Sequence, residues 1–249
     1  MSSKEIDFEA AIERTLHKKN GDSHTEYDPD VFHPSGLAPC HRQSFIRKLG
    51  IDDQDTTSLG VFMVGTLMHE FMEDEVSTEL PNSIEFETSI SHETDSGIRF
   101  KGHADGYDPV ENVVYDFKST SKQQYGGEDS YPNDFDGYKE DYINQLHVYM
   151  KALGAEKAKI VYMNKKDFAV RTYPEEEGEF IEFDPDRWDK LVEKAEMVRD
   201  KVQDVVVETD DGFDLLMDKL ADEGVPFSKC GSDDCWSCKR YERLVPELR

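Results

Sequence analysis

The chain has 249 residues, with 29 Lys and Arg against 55 Asp and Glu and a net charge of −26. It is long enough for one well-buried core with insertions, and too acidic for a protein whose affinity rests on a broad basic surface. No stretch approaches the roughly 18 uninterrupted apolar residues of a spanning helix, and Met1 to Glu5 lacks a basic-then-apolar signal pattern, so a soluble cytoplasmic protein without membrane contact is expected.

The acidic residues are spread along the whole chain rather than gathered in a tail. Such a surface suits a cell working in molar salt, where the Debye length falls to about 3 Å, so a haloarchaeal cell or one infected by a haloarchaeal virus is expected. An ordinary acidic protein with a basic partner is the alternative. Local basic clusters exist around Arg42, around Lys151 to Lys159, at Lys165-Lys166 and at Lys239-Arg240.

In chain order, an amphipathic helical pattern around Ile6 to Leu16 precedes a turn region at Pro34-Ser35-Gly36, and Cys40 to Leu49 reads as a short helix. Leu59 to Leu80 forms the first strong helix, with Phe62, Leu67, Phe71 and Val76 at roughly helical spacing and Pro81-Asn82 as its stop. Three strand-like runs follow, Ile84 to Ser91, Ile98 to Asp105 and Val113 to Ser119, separated by turn chemistry at Gly97 and at Asp108 to Asn112; they predict an antiparallel meander. A polar loop from Ser121 to Gly137 leads into a second helix, Asp141 to Leu153, ended by Gly154. Strands are expected at Ala158 to Met163, Phe168 to Tyr173 and Phe180 to Phe183, then helices from Asp184-Pro185 to about Val207 and from Asp211 to Leu220. The expected organisation is an N-terminal helical segment over 1–58, a core over 59–184 and a C-terminal helical and cysteine-bearing segment over 185–249, packed as one domain.

The chemistry concentrates in Gly102-His103-Ala104-Asp105 and Asp116-Phe117-Lys118. On paired strands Asp105 and Asp116 converge at one end of the sheet, and the period of two puts Asp116 and Lys118 on one face. Two carboxylates with an adjacent main-chain carbonyl suit Mg²⁺ or Mn²⁺, and a lysine beside them can orient water or neutralise charge during attack on a phosphodiester. An Asp-x-Lys triplet alone is more often a solvated strand face, a lone helical His such as His69 is more often structural, and Gln145 with Tyr149 at i and i+4 is by itself uninformative.

The order of these pieces is specific: a helix with Gly65-x-x-x-His69, a strand with Gly102-x-x-Asp105, a strand with Asp116-x-Lys118 and a helix with Gln145-x-x-x-Tyr149. It resembles the RecB-like branch of the PD-(D/E)XK nuclease superfamily over about Val64 to Met150. The resemblance implies an α/β restriction-endonuclease-like core of helix, three-stranded antiparallel meander, helix and strand, with helical additions. It implies His69, Asp105, Asp116 and the Phe117 carbonyl as ligands of Mg²⁺ or Mn²⁺, Lys118 as the catalytic lysine, and Gln145 and Tyr149 as active-site or DNA-positioning residues. Arg42, Tyr149, Lys239 and Arg240 are candidate nucleic-acid contacts.

The four cysteines are Cys40, Cys230, Cys235 and Cys238. Four soft ligands of this kind suit tetrahedral Zn²⁺ or a [4Fe–4S] cluster. One cysteine before the core and three after it resembles the iron–sulfur nucleases of this superfamily, including the CRISPR-associated exonuclease and the AddB-type nucleases, and implies a staple joining the chain ends. The spacing departs from theirs, where the closely spaced pair precedes the longer gap, so iron–sulfur and Zn²⁺ both stay open.

The expected function is a metal-dependent DNA exonuclease or endonuclease on single strands or duplex ends, with recombination, viral-genome-processing or CRISPR-adaptation proteins as partners. A catalytically silent nucleic-acid-binding adaptor and a zinc-stabilised protein of other chemistry are the alternatives; the intact Asp105, Asp116 and Lys118 set disfavours the adaptor.

Overall fold

A computed structural model of the protein describes residues 28–38, 40–49, 56–120 and 136–206, with isolated positions at 11–12, 15–16, 220, 227 and 238. Strands are β1 (Val31–Phe32), β2 (Glu85–Glu93), β3 (Arg99–Asp108), β4 (Val113–Thr120), β5 (Lys157–Asn164), β6 (Val170–Tyr173) and β7 (Ile181–Glu182). Helices are α1 (His41–Lys48), α2 (Thr56–Asp74), α3 (Asp136–Leu153) and α4 (Pro185–Val206), with 3₁₀ turns at Pro34–Gly36 and Val76–Glu79. Of the N-terminal helical pattern only 11–12 and 15–16 are described, and they are helical. The expected loop from Ser121 and the helix from Asp211 lie almost wholly outside the described residues.

The meander forms as β2, β3 and β4. Strand β2 runs antiparallel along β3 from Glu93↔Arg99 to Glu85↔Tyr107. On the other edge of β3 two strands share the length: β1 pairs in parallel at Arg99 and Phe100, and β4 pairs antiparallel over Gly106 to Asp108. Strand β5 then lies parallel to β4 from Val113↔Lys157 to Thr120↔Asn164, with α3 as the crossover a parallel connection requires, and carries β6 and β7 on its far edge.

Helices cover both faces of the sheet. Alternate residues of β5 point to opposite layers: Ala158, Ile160 and Tyr162 join the larger core with α1, α3 and α4, while Met163 joins Met68, Met72 and Phe117 under α2. The helix ends follow from local chemistry. Gly154 takes a left-handed φ of +70°, and the Ala155 N–H donates back to the Met150 carbonyl, closing α3. Pro185 opens α4, and the Asp184 carboxylate accepts the Asp186 N–H. His147 joins these two helices: its Nδ1 donates to the Ile143 carbonyl at 2.7 Å and its Nε2 accepts the Asp184 N–H at 3.1 Å.

Two expectations about the first long helix are corrected. The helix stops at Asp74 rather than Leu80 and continues as the Val76–Glu79 turn; Glu70, Glu73, Asp74 and Glu75 crowd its C-terminal end, where the helix dipole disfavours negative charge. The apolar residues that mark it in the sequence are not its buried face. Phe62, Leu67 and Phe71 are exposed, whereas Leu59, Met68 and Met72 are buried, the two methionines against Phe117 and Met163. Among the described residues no helix is long and apolar enough to cross a membrane.

Candidate active site

The site forms where the β3–β4 ladder ends. Pairing stops at Gly106↔Tyr115, and the next residues outward are Asp105 and Asp116, so the two carboxylates face each other where the strands part. The Asp105 Oδ2 accepts the Phe117 N–H at 2.6 Å, a bond that ties the parted strands. Asp116 is fully buried, and its Oδ1 accepts from the Lys118 Nζ at 2.7 Å, as the period of two requires. Its Oδ2 has no hydrogen-bond partner. The Lys118 ammonium also lies 4.9 Å from the centre of the Tyr142 ring on α3.

Helix α2 brings His69 over this pair, with Nδ1 3.5 Å from the Asp105 Oδ1 and the imidazole edge-on to the Phe117 ring. Gly65, one turn earlier, allows close approach to β4: a Cβ there would come within 3.3 Å of the Ser119 Oγ. From α3, the Gln145 Nε2 donates to the Tyr149 hydroxyl at 2.8 Å, and both residues are buried. Asp105, Asp116, Lys118 and His69 are therefore brought together, and the Gln145–Tyr149 pair adjoins them through the field of Asp116 and Asp105 on the phenol.

One further carboxylate belongs to this cluster and was missed from the sequence. Glu87 on β2 sits between the pairs Phe86↔Gly106 and Thr88↔Ala104, across from Asp105, with a left-handed φ of +47°. Ligand atoms of His69, Glu87 and Asp105 lie within 4.8 Å of one another. The sequence signal was partial: a hairpin turning at Gly97 brings Glu87 opposite Asp105 only once the register that pairs Glu93 with Arg99 is set, and that register belongs to the fold.

Charge in the site is unbalanced. Burial pushes the Asp116 carboxyl up to about 7, and the neighbouring Asp105 adds to that against the opposing Lys118. Burial also penalises charged Asp105, but His69 and Lys118 outweigh it and hold this carboxyl below the ordinary range. Burial alone would lower Lys118, yet Asp116 and Asp105 keep its pKa raised. His69 is likewise raised once the Asp105 hydrogen bond overcomes burial. Burial, Asp105 and Glu73 together raise Glu87. A group of carboxyls crowded around one histidine and one lysine, with a buried carboxylate oxygen left unpartnered, is a donor set suited to a hard divalent cation.

The other sequence candidates fall elsewhere. Cys40, at the N-terminus of α1, and Cys238 are buried with their Sγ atoms 3.8 Å apart, far beyond a disulfide bond and close to the ~3.8 Å edge of a tetrahedron of thiolates about 2.3 Å from one ion. Arg42 directs its guanidinium at the Phe227 carbonyl through two bonds of 3.2 and 3.0 Å, tying α1 to Phe227. Cys230, Cys235, Trp236, Lys239 and Arg240 lie outside the described residues.

No curated protein matches the sequence. Among solved structures, the fold is similar to that of SSO0001 at 16% identity and a TM-score of 0.53, covering 78% of this chain and 87% of that one. A phage-related exonuclease from Haemophilus somnus 129PT aligns at 14% identity and a TM-score of 0.46, over 77% of this chain and 99% of that one. An alkaline exonuclease from Laribacter hongkongensis aligns at 12% identity and 0.47, over 70% and 88%. A family model described as the PD-(D/E)XK nuclease superfamily matches residues 63–241, more than half of the chain and all of the carboxylate, lysine and histidine cluster, and the protein is therefore a member of that superfamily.

Proposed function

We propose that the protein is a Mg²⁺- or Mn²⁺-dependent DNA nuclease that hydrolyses phosphodiester bonds on single strands or at DNA ends. The observation that carries this reading is the unpartnered, fully buried Oδ2 of Asp116 beside Asp105 and Lys118. Leaving a carboxylate oxygen without a partner costs about 1–3 kcal/mol or more, a cost that a bound cation removes. Asp105, Asp116 and the Phe117 carbonyl would hold the cation, with His69 beside them. When bound, it supplies Lewis-acid polarisation of the phosphoryl oxygen and a lowered pKa for nearby water.

The remaining work falls to this chain's own groups. Lys118, held by Asp116, presents an ammonium that orients an attacking water and offsets the negative charge growing on the phosphate. Tyr149 stays neutral, because burial raises its phenol, and with Gln145 it forms a polar pair that positions the strand without adding charge. With a net charge of −26, long-range attraction for DNA is absent, and binding rests on such local contacts.

The test is degradation of end-labelled single- and double-stranded DNA in molar KCl with Mn²⁺, Mg²⁺ or EDTA. Cleavage lost with EDTA and reduced at least about 10³-fold in Lys118→Ala is expected, in line with removing a group that stabilises transition-state charge. DNA binding without cleavage by the wild type moves the reading to a silent adaptor.

The four cysteines add a second reading, a metal staple between the two chain ends. The Cys40–Cys238 separation supports a single tetrahedral ion such as Zn²⁺, because in a [4Fe–4S] cluster each thiolate sits on its own iron and the sulfurs stand farther apart. The resemblance to the iron–sulfur nucleases supports the cluster. A brown protein with broad visible absorption would decide for iron.

A further inference from the structure

We propose that α2 and the β5–β6 hairpin form a docking surface for single-stranded DNA, where unpaired bases stack on Phe71 and Phe168 and the phosphates meet Lys165 and Lys166; this surface rests on the nuclease reading for its ligand. Among the described residues, most of the exposed large apolar side chains fall in this one place: Val61, Val64, Leu67 and Phe71 on α2, and Phe168 and Val170 on the hairpin. Val64, Leu67 and Phe71 are spaced by three and four residues, so they line one helix face. Phe71 and Phe168 join the two elements edge-to-face, with ring centres 5.4 Å apart, yet remain 41% and 52% exposed. A contiguous apolar patch on so acidic a chain marks a binding surface.

The hairpin holds its aromatic residue outward. Asn164 is buried; its N–H donates to the Ala169 carbonyl, its carbonyl accepts the Phe168 N–H and its Oδ1 accepts the Lys166 N–H, each at 2.9 Å. Phe168 sits at a φ of +57°, where a bulky side chain is strained and Gly or Asn would be at ease. Strain of this kind persists where the surrounding structure enforces it, as at ligand clamps.

Charge and position name the occupant. Lys165 and Lys166 open the turn, and the Lys165 Nζ reaches the Val61 carbonyl on α2 at 3.4 Å, so positive charge lies between the two apolar elements. The one acidic residue of the turn, Asp167, accepts the Ala169 N–H at 3.3 Å. Glu70 and Asp74 flank the apolar stripe on α2, which leaves the hairpin side as the cationic one. A second copy would bring another charge of −26 to this face, whereas a single strand offers apolar base faces and anionic phosphates together. The surface also adjoins the catalytic end of the sheet. Lys118 pairs with Tyr162 and Thr120 with Asn164, and the Lys165 N–H donates to the Thr120 carbonyl at 2.8 Å. The turn thus begins about 10 Å along the sheet from Lys118, a distance that about three stacked nucleotides span.

The experiment is fluorescence anisotropy of the full chain with end-labelled oligothymidine, an abasic strand of the same length and a duplex, over a range of KCl concentrations. Ca²⁺ or EDTA replaces Mg²⁺ and Mn²⁺, so that binding is read apart from cleavage. Wild type should bind oligothymidine at least about fivefold more tightly than the abasic strand, the least that one stacked base contributes. Phe168→Asn should lose that advantage while its melting temperature holds or rises, because Asn accepts the left-handed φ. Its binding of the abasic strand and the duplex should match wild type, and Phe168→Trp should keep the preference for bases. Lys165→Gln with Lys166→Gln should reduce the slope of log affinity against log salt by about 1.4, two phosphate contacts of a single strand. Val110→Ser, at an exposed apolar residue elsewhere, should bind as wild type does. Equal wild-type affinity for base-bearing and abasic strands overturns the surface, a reading that needs no variant to fold. So does Phe168→Asn with wild-type affinity, or with a loss equal for all three ligands. An oligomer that Phe168→Asn dissociates without changing DNA affinity, seen by sedimentation, would assign the face to a second copy instead. Cleavage with Mn²⁺ is scored separately: base stacking without cleavage rejects the nuclease reading alone, and cleavage without base stacking rejects this surface alone.

Discussion

At the scale of single residues, the carboxyls of this protein are governed by whether each finds a partner once it leaves water. Asp116 has Lys118 on one oxygen and nothing on the other, an arrangement suited to binding rather than to stability. Asp141 on α3 presents the same feature away from the site. Its Oδ1 is buried and unpartnered, and burial raises its carboxyl to about 6 although Arg47 and Lys194 oppose the shift. The folded pKa is thus above the ordinary 3.8. The group's contribution to stability is present in full below pH 3.8 and is lost as pH rises through about 6. Asp141→Asn, which has the same shape without the charge, should flatten that part of the stability curve and raise the melting temperature at pH 8. Urea denaturation at pH 4, 6 and 8 measures it, and parallel curves for variant and wild type would refute the assignment. Asp116 could be picked out from sequence because its spacing to Lys118 is local, and Asp105 because Gly102-x-x-Asp105 precedes Asp116-x-Lys118 in the order that the nuclease resemblance requires. Glu87 escaped because it is joined to them only across a hairpin, and periodicity within one strand says nothing about what lies opposite.

At the scale of elements, close approach decides how the layers meet. Gly102 on β3 faces the 3₁₀ turn at Pro34–Gly36, and a Cβ there would come within 3.1 Å of the Pro34 Cδ and 4.0 Å of the Tyr149 ring. Because a proline ring has little room to yield, Gly102→Ala should cost about 1–3 kcal/mol, as overpacking a well-filled interior does. Thermal or urea unfolding reads this, and an unchanged midpoint would mean the turn can shift freely. The glycine's place in the Gly-x-x-Asp motif was plain from sequence, but its packing role was not, since Pro34 lies 68 residues away. Helix α2 gives the converse lesson. Its presence was legible from apolar spacing, yet the residues that marked it face outward, and Phe71 meets Phe168 at an exposed edge. The sequence carries apolar residues around much of this helix, so only the sheet surface it packs on selects the methionine face.

At the scale of the whole molecule, two residues from late in the sequence, Phe227 and Cys238, meet α1 and the cysteine that precedes it. Cys40 lies beside Cys238, Arg42 holds the Phe227 carbonyl, and Phe45 packs edge-on to the Phe227 ring. If the cysteines hold a metal, its binding energy is folding energy, because the unfolded chain has no preformed site. Cys40→Ser should therefore lower both metal content and melting temperature, and prolonged chelation of the wild type should do the same. Elemental analysis with calorimetry checks it, and an unchanged melting temperature after metal loss would remove the staple. The sequence by itself determined the order of elements, the strand pair bearing Asp105, Asp116 and Lys118, and the helices bearing His69, Gln145 and Tyr149, because each depends on spacing within a few residues. Only the tertiary structure decided that β3 and β4 part where the two aspartates meet, that Glu87 joins them and that Asp116 loses all contact with water. Those are consequences of strand register and of packing from both faces of the sheet, which bring together residues that have no local relation in the chain.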